Sequence, residues 1–449
     1  MTPPEQERRT RLERLLGSCA DVRAGEGVTA LLLATNVFLL LMAYYVLKPV
    51  REALILGGGS AELKSYMSAV QVGVLMLVVP AYGRLVSRLP RMRLINVVTA
   101  IFVGCLLGFF AASQAGIDIG IAFFLWIGIF NLMIVAQFWS FANDIYTKEE
   151  GERLFAIVGF GASLGAVVGA RAAGRLIVPL GVDLLLLLGG ALLGVQVMLT
   201  NWVDRRERAR RVARPVSINP RTPGAARTNA FAMVFRSRYL LLIAVMLMLL
   251  NWVNTTGEYI LGSIVEHTAT DMVATGKAGA LSKEQLIGGF YSKYFLMVNI
   301  LGLLLQLFAV SRIVKHWGVR WAVMVLPIIS LGAYNILVFF PLLLAVLAAK
   351  VLENSTDYSL NNTVRNMLFL PCTYEQKFSG KQAIDSFFVR MGDVLSALLV
   401  FAGTLLSLSP RGFAAVNALL VLAWLLLAWR VGRTYDELTT KVRAAAGAA

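Results

Sequence analysis

Histidine and cysteine are nearly absent. The 449-residue chain has two His, at 267 and 316, and three Cys without a CxxC pair. This excludes a disulfide framework, an obvious cysteine-based zinc site and a histidine-rich metal site. No phosphate-loop GxxxxGK[ST] sequence, no HExxH and no workable Ser-His-acid set is present. Hydrolytic and redox chemistry therefore have no visible carriers, and neither a metal nor a cofactor is expected. Charge is scarce as well, at 15% of residues against 58% hydrophobic ones, where a soluble domain has roughly 25% and 45 to 50%. Mean hydropathy is +0.71. The net charge of +16 lies between apolar blocks rather than on one continuous basic surface, so no nucleic-acid partner is expected. What remains is an all-α integral membrane protein with many spans.

Crossing the hydrocarbon core takes about 20 mainly apolar residues, because each backbone polar group must be satisfied within the segment. Twelve transmembrane helices are predicted, near 27 to 47, 66 to 84, 94 to 113, 117 to 142, 154 to 174, 178 to 200, 238 to 262, 289 to 311, 320 to 340, 341 to 362, 383 to 407 and 413 to 432. Pro341 marks the turn between the ninth and tenth. The first apolar block is too long for a signal-peptide core and lacks a convincing cleavage site, so it reads as a retained span.

Basic residues orient the chain, since Lys and Arg accumulate in short cytoplasmic loops. Arg8, Arg9, Arg11 and Arg14, then Arg84, Arg88, Arg91 and Arg93, then Arg312, Lys315 and Arg320, and finally Arg430, Arg433, Lys441 and Arg443 all fall on one side of a twelve-span chain. The predicted organisation is a cytoplasmic segment 1–26, an N-terminal six-helix bundle 27–200, a basic cytoplasmic linker 201–237, a C-terminal six-helix bundle 238–434 and a cytoplasmic tail 435–449. Pro215, Pro220 and Pro223 discourage a continuous helix through the linker. Its charge suits solvation and contact with anionic membrane lipid. The halves echo each other weakly: 44-YYVLKPVREALILG-57 overlays 251-NWVNTTGEYILGSI-264, setting Tyr45 on Trp252, Arg51 on Glu258 and Leu54 on Leu261. Two six-helix bundles related by a pseudo-two-fold axis resemble the major-facilitator arrangement.

Ionisable groups within hydrocarbon are costly and mark pathways or buried partners. Span 1 ends in Lys48, Arg51 and Glu52, span 4 runs into Asn143 and Asp144, and span 5 carries Arg171 and Arg175. In the second half Glu258 lies among Asn251, Asn254, Thr255, Thr256 and Gly257. Lys350, Glu353 and Asp357 share one helical face with Asn354 and Asn361, and Arg365, Lys381, Asp385, Arg390 and Asp393 follow. Lys350 and Glu353 suit a structural ion pair and substrate contact equally; Asp357 suits gating and helix-turn capping equally. Lys48 and Arg51, three residues apart, can point together at a phosphate or carboxylate, or snorkel to headgroups. Gly161, Gly165 and Gly169, at intervals of four, permit close helix contact.

Several blocks resemble the ATP/ADP translocases of obligate intracellular bacteria and plastids. These are 47-LKPVREAL-54, beside the family's LRDTKD-like stretch; 138-FWSFANDIYTKEEGERLFAIVGFGASLG-165, beside FWGFANQITT and the run through FGLGAN; and 358-YSLNNTVRNMLFLP-371 with 380-GKQAID-385, beside YSLFDPxKEMAYIP and GKAAID. The resemblance spans both halves and about 350 residues. It places Lys48 and Arg51 on the family's two span-1 cations, Glu258 on its span-7 acid and Arg365 on a functional Lys. The span-4 acid is missing, the aligned region reading 126-WIGIFNLM-133, and FDP is replaced by 361-NNT-363.

The resemblance implies a major-facilitator-like secondary transporter, not an enzyme, in a bacterial cytoplasmic membrane, with nucleotides exchanged or taken up with protons. Substrate contacts are then expected at Lys48, Arg51, Asn143, Asn254, Glu258, Asn361, Arg365, Lys381 and Arg390. Gating or coupling is expected at Asp144, Glu258, Lys350, Glu353, Asp357 and Asp393. One chain supplies a complete pathway as a monomer. Two other readings stay open: proton-coupled movement of another organic phosphate or carboxylate, which the missing span-4 acid favours, and a non-transporting membrane scaffold or sensor.

Overall fold

The computed structural model describes residues 25–213, 230–340, 342–373 and 375–447, with Glu13 and 21–23. Most of the expected segment 1–26, with Arg8, Arg9, Arg11 and Arg14, the linker prolines 215, 220 and 223, and Pro341 lie outside the described residues.

All regular structure among the described residues is helical. Helix α1 spans Gly27–Gly57, α2 Ala61–Arg88, α3 Arg91–Gln114 and α4 Gly120–Ile145. The 66-residue run α5, Lys148–Ala213, is interrupted at Gly181. Helices α6 (Ala230–Arg236), α7 (Arg238–Ala274) and α8 (Lys283–Leu304) follow. Ser237 opens α7, its hydroxyl accepting the Leu240 amide at 3.4 Å, as an N-cap serine does. A π-helical turn at Leu305–Ala309 carries α8 into α9, Val310–Phe339, which is interrupted at Gly318. Helix α10 (Leu343–Thr356) passes through a second π turn, Asp357–Asn361, into α11 (Asn362–Met367). Two more, Gln376–Gly380 and Ile384–Phe388, flank α12 (Lys381–Ala383) before α13 (Val389–Leu405) and α14 (Pro410–Gly447).

Nine helical runs among the described residues are long and apolar enough to cross a membrane, against the twelve spans expected. Two of them, Arg153–Ala209 and Lys283–Phe339, are 57 residues long, or about 85 Å at the helical rise, nearly three times the hydrocarbon thickness. Each contains a glycine outside the helical region, Gly181 at φ 74° and Gly318 at φ 72°. That left-handed φ is open to glycine and costly for other residues.

The helices gather into two compact units. Unit 1 is Met1–Leu54, Leu75–Arg221 and Glu284–Leu296; unit 2 is Ile55–Val74, Thr222–Lys283 and Met297–Ala449. The start of α2 thus belongs with unit 2, and much of α8 with unit 1.

Unit 1 is held by close backbone approach and by aromatic stacking. A Cβ added at Gly161, Gly165 or Gly169 would meet the carbonyl oxygens of Ala34, Phe38 and Met42 at 2.5, 2.3 and 2.5 Å, so α5 lies directly against α1, the close contact that glycines four apart permit. Phe123, Trp126 and Phe130 stack along α4, with centroids 5.4 and 5.2 Å apart. Buried Asn36, Gln196 and Thr200 satisfy one another: the Asn36 amide donates to Thr200 at 2.8 Å and the Gln196 amide to Asn36 at 2.7 Å. At the end of the unit where α1 begins, the Arg153 guanidinium grips both Glu26 carboxylate oxygens, at 2.6 and 2.9 Å. Burial alone would raise the Glu26 pKa, but the bonds and charge of Arg153 outweigh it and hold the carboxyl below its usual value.

In unit 2, α7 is the central element, packed against α13 and α14, while α9 lies on α14. The start of α2 is tied to α7, where Glu266 accepts the Ala61 amide at 2.8 Å and Glu62 accepts the Tyr259 hydroxyl at 3.0 Å.

Candidate functional site

In unit 1, Lys48 and Arg51 take different surroundings. Lys48 is buried, with its ammonium 4.2 Å from the Phe295 ring centroid, 5.2 Å from Tyr45 and 5.8 Å from Tyr44. That aromatic cage favours a cation through the ring quadrupoles. Arg51 pairs with buried Glu52 and lies over Phe124, 5.1 Å from its centroid. Asn143 and Asp144 occupy the last turn of α4, where Asp144 pairs with Arg91. The start of α4 at Gly120 abuts Leu54. From that level Asn143 lies about 35 Å along α4, whereas Lys48 lies about 9 Å along α1. The structure therefore separates Asn143 and Asp144 from the span-1 cations.

Unit 2 holds a charged network between α7, α9, α10 and α14. The Lys350 side chain is 1% exposed, and its ammonium meets Asn254 Oδ1 at 2.7 Å, Glu353 Oε2 at 2.8 Å and Glu258 Oε1 at 3.7 Å. Glu353 is 4% exposed and Glu258 23%. Ser330 donates to Glu353 at 3.0 Å, and the Tyr334 hydroxyl stands 3.3 and 3.4 Å from the same carboxylate. The Val253 carbonyl accepts from Tyr334 at 3.2 Å and from Asn417 at 3.0 Å. Asn354 donates to Glu258 at 2.9 Å. One ammonium is thus shared by two carboxylates, one sealed among hydroxyls and one open to solvent.

Sequence spacing placed Lys350 and Glu353 on one face but gave no sign of Tyr334, Ser330 or Asn417, which come from other helices. Gly257 is a further residue that spacing missed. A Cβ there would fall 2.1 Å from the Tyr334 hydroxyl and 3.0 Å from the Lys350 ammonium, so glycine is what lets α9 and α10 bring both groups to α7. Gly257→Ala is expected to cost about 1–3 kcal/mol by overpacking, with part of it restored in Gly257→Ala/Tyr334→Phe. Thermal unfolding in detergent checks both; equal midpoints for wild type and Gly257→Ala would remove the close approach from the account.

The remaining candidates form separate pairs. Asp393 on α13 accepts from Asn251 and Thr255 on α7, both at 2.8 Å, with Arg390 at 3.4 Å. Arg365 pairs with Asp385, and Lys381 donates to Asn366 at 2.6 Å. Asn361 donates to Asp357 at 2.6 Å across the π turn. Arg365 is fifteen residues beyond Lys350, about 22 Å along the chain of helical turns, so Glu258 shares a site with Lys350 rather than with Arg365. Three of the four π turns fall between 357 and 388, two of them overlapping the blocks 358–371 and 380–385 of the family resemblance and one lying between those blocks but for its last residue, Gly380; such turns are frequent at functional sites.

This is an all-α, multi-span membrane fold of the kind found in major-facilitator-like transporters. Its similarity to solved structures is at the level of fold: a nucleoside transporter, NupG (TM-score 0.55, 11% identity, 89% of this chain and 98% of that one), a bacterial homolog of the human lysosomal transporter Spinster (TM-score 0.59, 12% identity, 92% and 98%) and a bacterial homologue of the iron transporter ferroportin (TM-score 0.59, 15% identity, 91% and 98%). Residues 122–435 match the family model of the TLC ATP/ADP transporters, and the chain belongs to that family, one of transporters rather than enzymes. Among curated relatives it is similar to ADP,ATP carrier protein 1 of Chlamydia pneumoniae, 24% identical over 352 residues, and to ADP,ATP carrier protein 2 of Chlamydia trachomatis, 25% identical over 359. Those alignments cover 68% and 69% of this chain and 65% and 64% of the relatives.

Proposed function

We propose that the protein is a secondary transporter of nucleotides, exchanging ATP and ADP across a bacterial cytoplasmic membrane by alternating access. The observation that carries this is the family match through residues 122–435, which takes in the whole Lys350 network. Twelve spans fit this reading: the two 57-residue runs each divide at their glycine, and 343–367, split by its π turn, adds one more to the nine. Two six-helix halves, both termini in the cytoplasm, and a single chain as the working unit complete the arrangement. Lys48, Arg51, Arg365, Lys381 and Arg390 supply charge for phosphate oxygens; Asn254 and Asn361 supply amides for base or ribose. Asp144, Asp357 and Asp393 act with the Lys350 network in gating.

Proton-coupled uptake of a nucleotide or another organic anion is the second reading, favoured by the partly exposed Glu258 beside Lys350 and the absent span-4 acid. Purified protein in liposomes, given labelled ATP or ADP with and without internal nucleotide and with and without a proton gradient, separates the two. Uptake that requires internal nucleotide is expected for exchange. Gradient-driven uptake into nucleotide-free vesicles would replace exchange by symport, and no uptake of either nucleotide by folded protein would sink both nucleotide readings and return the scaffold.

A further inference from the structure

Several cations in the spanning helices already have a partner: Arg51 has Glu52, Lys350 has Glu353, Arg365 has Asp385, Arg390 has Asp393, and Lys48 has its aromatic cage. Arg171 and Arg175 on α5 and Lys293 on α8 are different. All three are exposed, and none makes a hydrogen bond, ion pair or ring contact among the described residues. All three belong to unit 1.

The helices that carry them are in register. A Cβ at Gly174 would lie 3.2 Å from that of Ser292, one at Gly288 would lie 2.1 Å from Ile177, and Gln285 donates to the Val178 carbonyl at 3.1 Å. Helices α5 and α8 therefore run antiparallel, with 174 beside 292. Arg171 lies ten residues before the break at Gly181, and Lys293 ten residues after the start of α8 at Lys283. Both are about 15 Å from the same end of the unit, and Arg175 about 9 Å. Lys48, nine residues before the end of α1 at Gly57, sits at the same level.

Arg171 and Arg175, four residues apart, share one face of α5. It lies away from Gly161, Gly165 and Gly169, which face α1. Two carboxylates of unit 1 are engaged elsewhere, Glu52 with Arg51 and Asp183 with Ser113 and Gln114. Two guanidinium forks with an ammonium at one level suit phosphate oxygens.

We propose that Arg171, Arg175 and Lys293 form an anion-binding patch of unit 1 that receives the phosphate groups of the substrate. This rests on the reading of the protein as a transporter of phosphorylated compounds, and it names residues outside the blocks that carry the family resemblance. Cations without a carboxylate partner are available to a ligand without first breaking an ion pair.

Two measurements test it. In liposomes, Arg171→Gln and Lys293→Gln are each expected to raise KM for ATP about tenfold, the loss of one charge-assisted contact, and to raise it less for AMP. In detergent, inorganic tripolyphosphate is expected to raise the unfolding midpoint of the wild type but not that of the Arg171→Gln/Arg175→Gln/Lys293→Gln triple variant. Stabilisation by phosphatidylglycerol but not by tripolyphosphate would make the patch a headgroup site and overturn the proposal. So would an unchanged KM in both single variants. If the wild type moves no nucleotide, yet tripolyphosphate stabilises it and the triple variant loses the effect, the patch stands and the nucleotide reading fails.

Discussion

Lys350→Met is expected to lower stability by about 3–5 kcal/mol, the cost of leaving a buried charge without its partner. Glu353 is the charge left behind, 4% exposed and 2.8 Å from the ammonium. Its remaining bonds, from Ser330 and Tyr334, come from hydroxyls and do not balance a full negative charge at low dielectric. The double variant Lys350→Met/Glu353→Met removes both charges at similar volume, so it is expected to recover most of the unfolding midpoint, because replacing a whole buried pair is often close to neutral.

Transport should divide from stability in the same pair of proteins. If the shared ammonium is the switching element between Glu353 and Glu258, the double variant folds and remains inactive in the liposome assay. A folded and fully active double variant would reduce the pair to a packing device and remove it from the mechanism. A single variant as stable as wild type would mean that Glu353 is not buried as charge.

Much of the scaffold was legible because hydropathy and helix length are set by the bilayer itself. Apolar runs and basic loops follow from lipid thickness and membrane electrostatics, which act on composition. The nine apolar runs among the described residues differ from the twelve spans expected at particular places. Hydropathy is blind to the left-handed φ of Gly181 and Gly318 and to the π turn at Asp357–Asn361, which decide where a run is divided. The family blocks, read as motifs, identified the family that residues 122–435 then matched.

The site was legible only along each helix. Spacing of three and four put Lys350, Glu353 and Asp357 on one face, and the Lys350–Glu353 bond follows that spacing. What stands opposite a face depends on helices distant in sequence. Tyr334 and Ser330 lie in a stretch of α9, and Asn417 in a stretch of α14, that read as ordinary apolar spans, so their place around Glu353 and Val253 was invisible. For the same reason Lys48 and Arg51, adjacent on α1, could not be seen to part, one to Phe295 on α8 and the other to Phe124 on α4. Lys293 drew no notice because a single Lys in an apolar run says nothing of what lies beside it.

Gly165→Ala is expected to cost about 3 kcal/mol, at the upper end of ordinary overpacking. The added methyl would stand 2.3 Å from the Phe38 carbonyl oxygen and 2.9 Å from its Cα. The obstruction is backbone, so no rotamer change relieves it and α1 must move from α5. That movement also pulls at Asn36, whose side chain ties α1 to Gln196 and Thr200, and a displaced Asn36 leaves buried polar groups unsatisfied. Gly159→Ala supplies the internal control, since a Cβ there meets nothing within 4 Å. On helix propensity alone it should be neutral or stabilising by up to about 1 kcal/mol. The two substitutions make the same chemical change six residues apart on one helix, so propensity cancels and the difference in unfolding midpoint isolates the contact. Gly165→Ala as stable as Gly159→Ala would place α1 and α5 farther apart than the structure does. A large difference with transport retained would confine the glycine seam to packing within unit 1, whereas loss of transport beyond the loss of folded protein would tie the α1–α5 contact to the position of Lys48 and of Arg171 on the two helices it joins.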